Sequence, residues 1–304
     1  MTDSTYPQRF TVRHLSVYRY STPVDFGEHR MMFRPRSSHD LRLITTRLRI
    51  TPEPARLRWL HDVFDNSVAV ATFDSQSTEL TFESEVTIEH FEAPQPDYAL
   101  EPYASTFPFA YTNDEASDLV NARNRPEPNE TVDAWAQRFV PATGATGTMA
   151  LLRAMTQGIA DDFKYVRRTE KGVNRPADTL RLKSGSCRDF AVLMIDAVRS
   201  LGLAARFVSG YIFVPDHDVT RGGGATHAWL QIYLPGAGWV DFDPTNSIIG
   251  NRHLIRVAVA WDHRQALPLW GTWNGEPGSF RSLDVEVSVT EDPATPTSVK
   301  RPVP

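Results

Sequence analysis

From Phe190 to Leu201 the apolar residues Phe190, Val192, Leu193, Ile195, Ala197, Val198 and Leu201 recur at three- and four-residue spacing. That is the stripe of a helix that buries one face, and it demands a second layer to bury it against. Just ahead of it stands Ser184-Gly185-Ser186-Cys187-Arg188-Asp189. Ser186 and Asp189 form an S-x-x-D capping signature, and Gly202 sits where such a helix stops. Cys187, the single cysteine among 304 residues, is thereby placed in the first turn of a mostly buried helix. Free backbone N–H groups and the helix dipole favour an anion there and lower a thiol's pKa, and Arg188 acts in the same direction. Taken alone, a solitary cysteine is more often a buried core residue. The residues downstream decide against that reading.

Thr226-His227-Ala228-Trp229-Leu230-Gln231-Ile232-Tyr233-Leu234 leads into the turn sequence Pro235-Gly236-Ala237-Gly238. Trp239-Val240-Asp241-Phe242-Asp243 runs back out to Pro244. The turn rule makes this a β-hairpin. With three or five residues in the loop, Trp229 and Asp243 face each other and His227 lies diagonally on the same side, within reach of the carboxylate. A four-residue loop would put them on opposite faces. A nucleophilic thiol needs a base, and the base needs a group to hold its tautomer and ring angle. Cys187, His227 and Asp243 are the residue types for those three tasks. Each has an ordinary explanation by itself: a core thiol, a core histidine, a turn-capping carboxylate. A cysteine at a helix start followed by a histidine and an aspartate on one hairpin is much rarer by chance.

The rest of the chain divides around this centre. Residues 1–92 alternate apolar and polar positions in short runs: 10–20, broken at Ser21-Thr22-Pro23, then 28–34, 41–50, 68–73 and 80–90, with a turn at Asp62-Val63-Phe64-Asp65-Asn66. Short strands at this spacing predict a β-sandwich-like domain. Its histidines, His14, His29, His39, His61 and His90, stand singly and read as surface or internally satisfied residues. Residues 93–128 are proline-rich with the aromatics Tyr103, Phe107, Phe109 and Tyr111, a connector laid over a domain surface. Those rings would be costly to leave in water, so the β domain is expected to dock on the C-terminal half and to narrow access to Cys187. Residues 129–290 carry helical patterns at 129–140 and 148–159, the cysteine helix, and strands at 205–214, 228–234 and 239–242. The stretch 291–304, rich in Pro, Thr and Ser, reads as a disordered tail.

Composition narrows the partners. With 41% hydrophobic and 23% charged residues and a net charge of −5, nothing favours nucleic acid. One cysteine excludes an internal disulfide and a Cys-based zinc site. No apolar run reaches membrane-spanning length and the first residues lack a signal-like apolar region, so no membrane is expected and the expected compartment is the cytoplasm.

Gly185-Ser186-Cys187-Arg188-Asp189-Phe190-Ala191, the strand end Gly210-Tyr211, His227-Ala228-Trp229 and Gly238-Trp239-Val240-Asp241-Phe242-Asp243-Pro244-Thr245 resemble the transglutaminase-like superfamily in its bacterial branch. The N-terminal residues resemble the β domain that precedes the core there, through Arg13-His14, Tyr18-Arg19-Tyr20, Pro23-Val24, Arg34-Pro35-Arg36 and residues 62–66. The resemblance runs to about Val289. It implies an α+β fold, with a β-sandwich-like domain followed by a papain-like, transglutaminase-like core in which a Cys-helix packs on an antiparallel sheet. It implies Cys187 as nucleophile, His227 as base and Asp243 as the orienting acid, with Asp241 outside the triad. The implied chemistry is acyl transfer on peptide or protein amides through a thioester. Bacterial members are often considered cysteine proteases, which leans the expectation towards hydrolysis. A true transglutaminase using an amine acceptor, or a catalytically silent scaffold, stand as the alternatives.

No cofactor or metal is implied, since there is neither an acidic calcium loop nor a His-x-x-x-His pair. Two departures from the family pattern stand out. Asp65 occupies a position where glycine is common, and Ala260-Trp261-Asp262-His263-Arg264 replaces a Gly-Arg-Asp-Tyr-like segment. If the latter lines the cleft, substrate preference changes with it.

Overall fold

The computed structural model describes residues 7–91, 98–142, 144–167, 172–215, 221–251 and 253–292. Strand β1 (Gln8–Arg34) runs for 27 residues straight through the stretch expected to break it. Ser21, Thr22 and Pro23 are exposed, and the register against its neighbour shifts between Arg19 and Val24. An irregularity of this kind accommodates a proline that cannot donate to the ladder. β2 (Leu41–Thr51), β3 (Arg56–His61), β4 (Ser67–Thr72) and β5 (Ser77–His90) complete the order β2-β5-β1-β4-β3. β3 escapes the alternation pattern because it is an edge strand exposed along most of its length. Because β1 changes partners along its length, the sheet curls and closes on Tyr20, Phe26, Met31, Ile50, Leu80 and Phe82.

The connector holds more structure than its prolines suggest. After a 3₁₀ turn at Pro102–Ala104 come β6 (Thr106–Phe107), α1 (Asn113–Asp118) and α2 (Val120–Arg123). Thr112 and Glu115 form a complete capping box on α1. The Tyr111 hydroxyl donates to the Tyr233 carbonyl and accepts from the Ala204 N–H, both at 2.9 Å. Phe107 is buried and Phe109 and Tyr111 are half-buried, whereas Tyr103 is left exposed. Residues 98–123 therefore lie against the core rather than span a gap.

In the core, α3 (Glu130–Gln137) is capped by Asn129, β7 (Thr146–Gly147) pairs with β6, and α4 (Thr148–Asp162) comes next. β8 (Lys164–Tyr165) and β9 (Ser184–Gly185), separated by α5 (Pro176–Leu182), make a short parallel pair that leads into α6 (Cys187–Ser200). Then come β10 (Ala205–Ile212), β11 (His227–Leu234), β12 (Gly238–Asp243), β13 (Ile248–Ile249) and β14 (Leu254–Ala260), an antiparallel sheet in the order β13-β12-β11-β10-β14. α6 buries Phe190, Leu193, Met194 and Ala197 in one cluster with Phe207 and Leu230 of that sheet. The cysteine helix packed on an antiparallel sheet is thus present, and the fold is mixed α/β with a β-rich N-terminal domain.

The stretch 129–290 does not stay in the core. β15 (Leu269–Asn274) and β16 (Phe280–Asp292) return to pair with β1, Val12 opposite Val289 and Met31 opposite Leu269. The physical reason is that β1, flanked by β5 on one side, has a second hydrogen-bonding edge to fill. The alternation of Leu283, Val285, Val287 and Val289 supplies a strand to fill it. β16 also takes in Glu291 and Asp292 from the expected tail, and the remainder of that tail lies outside the described residues.

The N-terminal sheet docks on the core through a shared apolar cluster that includes Phe10, Val12, Ile88, Tyr211, Phe213 and Ile255. Polar ties flank it. His14 Nδ1 is 2.9 Å from the Tyr211 hydroxyl, and the Asn66 amide makes two bonds to Val259, donating to its carbonyl at 2.8 Å and accepting from its N–H at 2.9 Å. Asn66 is aimed by its own turn, in which Asp62 accepts from the N–H groups of Phe64 and Asn66. Asp65 there adopts φ +64°, the left-handed conformation for which glycine is the default and to which aspartate adapts. His14, His29 and His90 are buried with polar partners, and His39 and His61 are exposed. Among the described residues no helix is long and apolar enough to cross a membrane.

Candidate active site

Cys187 is the first residue of α6. Ser186 caps that helix, with its N–H and hydroxyl donating to Asp189 Oδ2 at 2.8 and 2.9 Å. The buried Asp189 also accepts the Asn174 N–H at 2.6 Å, so this carboxylate is committed to shaping the helix entrance. Gly185 is required by close approach: a Cβ there would lie 2.8 Å from Asp189 Cβ and 3.2 Å from the Phe190 ring. The Gly-Ser-Cys sequence therefore builds a tight strand-to-helix turn that presents the thiol with 8% of its residue exposed.

The other two residues come from the hairpin. Leu234 pairs with Gly238 and Leu230 with Phe242, so residues 235–237 form a three-residue loop, one of the two lengths that put Trp229 across from Asp243. His227 stacks on Trp229 at 5.9 Å between ring centres, and its Nε2 is 2.8 Å from Asp243 Oδ2, both side chains fully buried. Asp243 Oδ1 accepts the Thr245 N–H at 2.9 Å, and Oδ2 also accepts the Asn246 side-chain amide at 2.8 Å. Asp241, two residues before it, instead accepts the Trp229 indole N–H at 2.6 Å. With Nε2 engaged by Asp243, the ring nitrogen left for the thiol is Nδ1, which is buried and has no hydrogen-bond partner among the described residues.

The three groups determine one another's charge. Burial acts to raise the Cys187 pKa, but the charges of His227 and Arg188 outweigh it, and the thiol falls below its ordinary value. Burial likewise acts to lower the His227 pKa, and the carboxylate of Asp243 and the thiolate of Cys187 overcome it, raising the imidazole to about 10. Asp243, despite its burial, is held below the usual carboxylate range by His227, Asn246 and Thr245. These directions all favour the thiolate beside an imidazolium backed by a carboxylate.

Sequence reasoning missed the surroundings of the imidazole. Asn246 donates to the Arg221 carbonyl at 3.1 Å and accepts the Arg221 N–H at 2.8 Å, so it fastens the loop 221–224 to Asp243. Gly222 (φ +90°) lies so close that a Cβ on it would sit 2.7 Å from His227 Nδ1. The Val287 N–H of β16 reaches the Gly224 carbonyl at 3.3 Å, so the N-terminal sheet touches the loop beside the imidazole. The only advance signal was the position of Asn246 just after Asp243-Pro244-Thr245. In segment 260–264, Trp261 stands against Trp239 and Phe64, and His263 packs on Phe207 near enough to feel the charges of Arg188 and Asp189.

A cysteine-dependent enzyme fold is what this architecture and this trio of groups define. Residues 10–89 match the bacterial transglutaminase-like N-terminal region, and residues 133–244 match the transglutaminase-like superfamily. Uncharacterized proteins of Mycobacterium tuberculosis and Mycobacterium bovis are 30% identical over 295 residues, covering 92% of this chain and 92% of theirs. The solved structure of a candidate cysteine protease from Cytophaga hutchinsonii superposes with a TM-score of 0.67 at 17% identity, over 95% of this chain and 93% of that one. A protein-glutamine gamma-glutamyltransferase of Pseudomonas aeruginosa is 28% identical over 147 residues, 41% of this chain and 17% of its own length. The chain belongs to the transglutaminase-like superfamily, with the bacterial N-terminal region ahead of its core.

Proposed function

We propose that the protein is a cysteine acyl-transfer enzyme that hydrolyses amide bonds of peptides or protein tails through a thioester on Cys187. The observation that carries this reading is a thiol at a helix start beside His227, which lowers its pKa and is itself held by the buried Asp243. The thiolate attacks the amide carbon and the carbonyl electron pair moves to oxygen, where the Cys187 backbone N–H at the helix start is one donor. As the C–N bond breaks, the imidazolium gives its Nδ1 proton to the departing amine and a thioester remains. His227 then takes a proton from water, the hydroxide attacks the thioester, and the thiolate leaves as the carboxylic acid forms. Asp243 keeps the ring aligned throughout and is not itself protonated. The narrow exposure of Cys187, with loop 221–224 beside its partner, favours extended peptides over folded domains as substrates.

An amine that replaces water at the thioester would make the same site a transglutaminase. The similarity to the Pseudomonas aeruginosa enzyme supports that second reading over 41% of the chain. Mass spectrometry of peptide mixtures incubated with the protein, with and without a primary amine, separates the outcomes. Chain cleavage or ammonia loss that ignores the amine is expected. Incorporation of the amine would replace hydrolysis by transfer, and no change in any peptide would leave a scaffold.

A further inference from the structure

Two adjoining hollows of about 470 and 490 Å³ share Arg36 and Ser37; the smaller is lined by N-terminal residues alone, and the larger lies at the seam between the two domains. Four arginines line them, Arg34, Arg36, Arg206 and Arg256, against two carboxylates, Asp40 and Asp241. The larger hollow takes three of these cations and both anions, a formal charge of +1 in a chain whose net charge is −5. Several of these groups have partners: Arg36 pairs with Asp65 at 2.5 Å, Arg256 with Asp40 at 3.3 Å, and Asp241 holds the Trp229 indole.

Arg206 is different. Its Nε donates to the buried Gln231 Oε1 at 2.9 Å, and its guanidinium carbon stands 4.2 Å from the centre of the Trp239 ring. No carboxylate pairs with it among the described residues; the charges that act on it are Asp241 at a distance, attractive, and Arg256, repulsive. Burial, the largest influence, pushes its pKa down to about 10. A partly buried cation without a counter-ion is costly, and proteins ordinarily pair such groups. Trp239 and Gln231 fix the plane of the guanidinium, so its Nη edge is pre-organised for a two-oxygen ligand. Across the cavity, the Ser37 hydroxyl oxygen accepts the Leu43 N–H at 3.0 Å, which leaves its own proton for another acceptor.

We propose that the larger hollow binds a small oxyanion, a phosphate or carboxylate group, between Arg206 of the core and Arg36 and Ser37 of the N-terminal domain. Because the ligand touches both domains, it also tightens the seam. This site is independent of the thioester chemistry and is tested without turnover.

The full-length chain is titrated with inorganic phosphate and, separately, citrate, by calorimetry and thermal unfolding, with ionic strength held constant by sodium chloride. The expected result is saturable binding at millimolar concentration and a rise in Tm. Arg206→Gln and Arg36→Gln should each weaken binding on the order of tenfold, the loss of one charge-assisted contact. Arg264→Gln, an exposed pair with Asp262 outside both hollows, should bind as wild type. Tighter phosphate binding identifies a phosphate site, and tighter citrate binding a carboxylate site. No response to either anion beyond that of sodium chloride overturns the proposal, as does unaltered binding by both hollow variants. Should Arg206→Gln fail to fold, Arg36→Gln decides alone, its side chain being half exposed.

Discussion

Replacing His227 by glutamine isolates the ionisation of the thiol from the fold. The glutamine amide can donate to Asp243 Oδ2 in place of the imidazole, and the Asn246 and Thr245 bonds persist, so the buried carboxylate stays partnered. What Cys187 loses is the cation beside it. Burial, the largest influence on this thiol, is then opposed chiefly by Arg188, and the pKa rises to or above the free-thiol value of about 8.5. At pH 6.5 a thiol of that pKa is only about 1% ionised. In the wild type the pair persists from the lowered thiol pKa up to the imidazole pKa of about 10. Alkylation of the single cysteine by iodoacetamide at that pH should therefore slow by roughly one to two orders of magnitude. The smaller figure allows for the greater nucleophilicity of a more basic thiolate. Intact-mass rates across neutral to alkaline pH should give a flat profile for the wild type and a rising one for the variant. Coincident profiles would refute the ion-pair reasoning.

The same geometry sets four further expectations. Cys187→Ala should abolish turnover with little change in Tm, since a small helix former replaces a small residue; full activity would remove the thiol from the chemistry. Asn246→Ala deletes a charge-assisted bond to Asp243 and both ties to Arg221, and should lower kcat roughly 10-fold or more; a change in KM alone would make it only a loop tether. His14, buried against Tyr211 and Ser16, has its pKa lowered by burial to about 4. The unfolded chain takes up that proton first, so stability is complete above about pH 6.5 and falls towards pH 4, by on the order of 3 kcal/mol. Urea unfolding at both ends of that range should show the loss in wild type and less of it in His14→Gln; equal losses would exclude His14. Deleting the residues before Ala93 strips β15 and β16 of their partner strand and should leave the core insoluble; a soluble core with unchanged substrates would make the N-terminal sheet an independent module.

What the sequence discloses depends on how local the determining contact is. The cap at Ser186, the stripe of α6, the stop at Gly202 and the hairpin turn are encoded within a few residues, and each lies where the pattern places it. The pairing of His227 with Asp243 needs a loop length that the residues alone leave open, and three residues supply it. β15 and β16 belong with the N-terminal sheet and not with the core, because strand alternation reveals a strand and not its neighbour, and here the neighbour is at the other end of the chain. Asn246 and Gly222 are illegible for a similar reason: an asparagine after a turn and a glycine in a loop gain meaning only from what approaches them. Thr112 and Glu115 carry a capping box in plain view, but the surrounding prolines make the stretch look like a bare connector.

The pairing of β1 with β16 also sets an order of events during synthesis. Arg13 and Ser288 meet across about 275 residues, and closing so long a loop costs on the order of 5 kcal/mol before any contact offsets it. β1 thus waits for β16, made much later, before its second edge is filled, and long-range pairing of this kind is slow. Val287, on that late strand, reaches the loop that abuts His227. A chain ended or nicked before β16 would still carry Cys187, His227 and Asp243, yet without the strand that holds the loop over them. The Cys187–His227–Asp243 group acquires its finished surroundings only once β16 has paired.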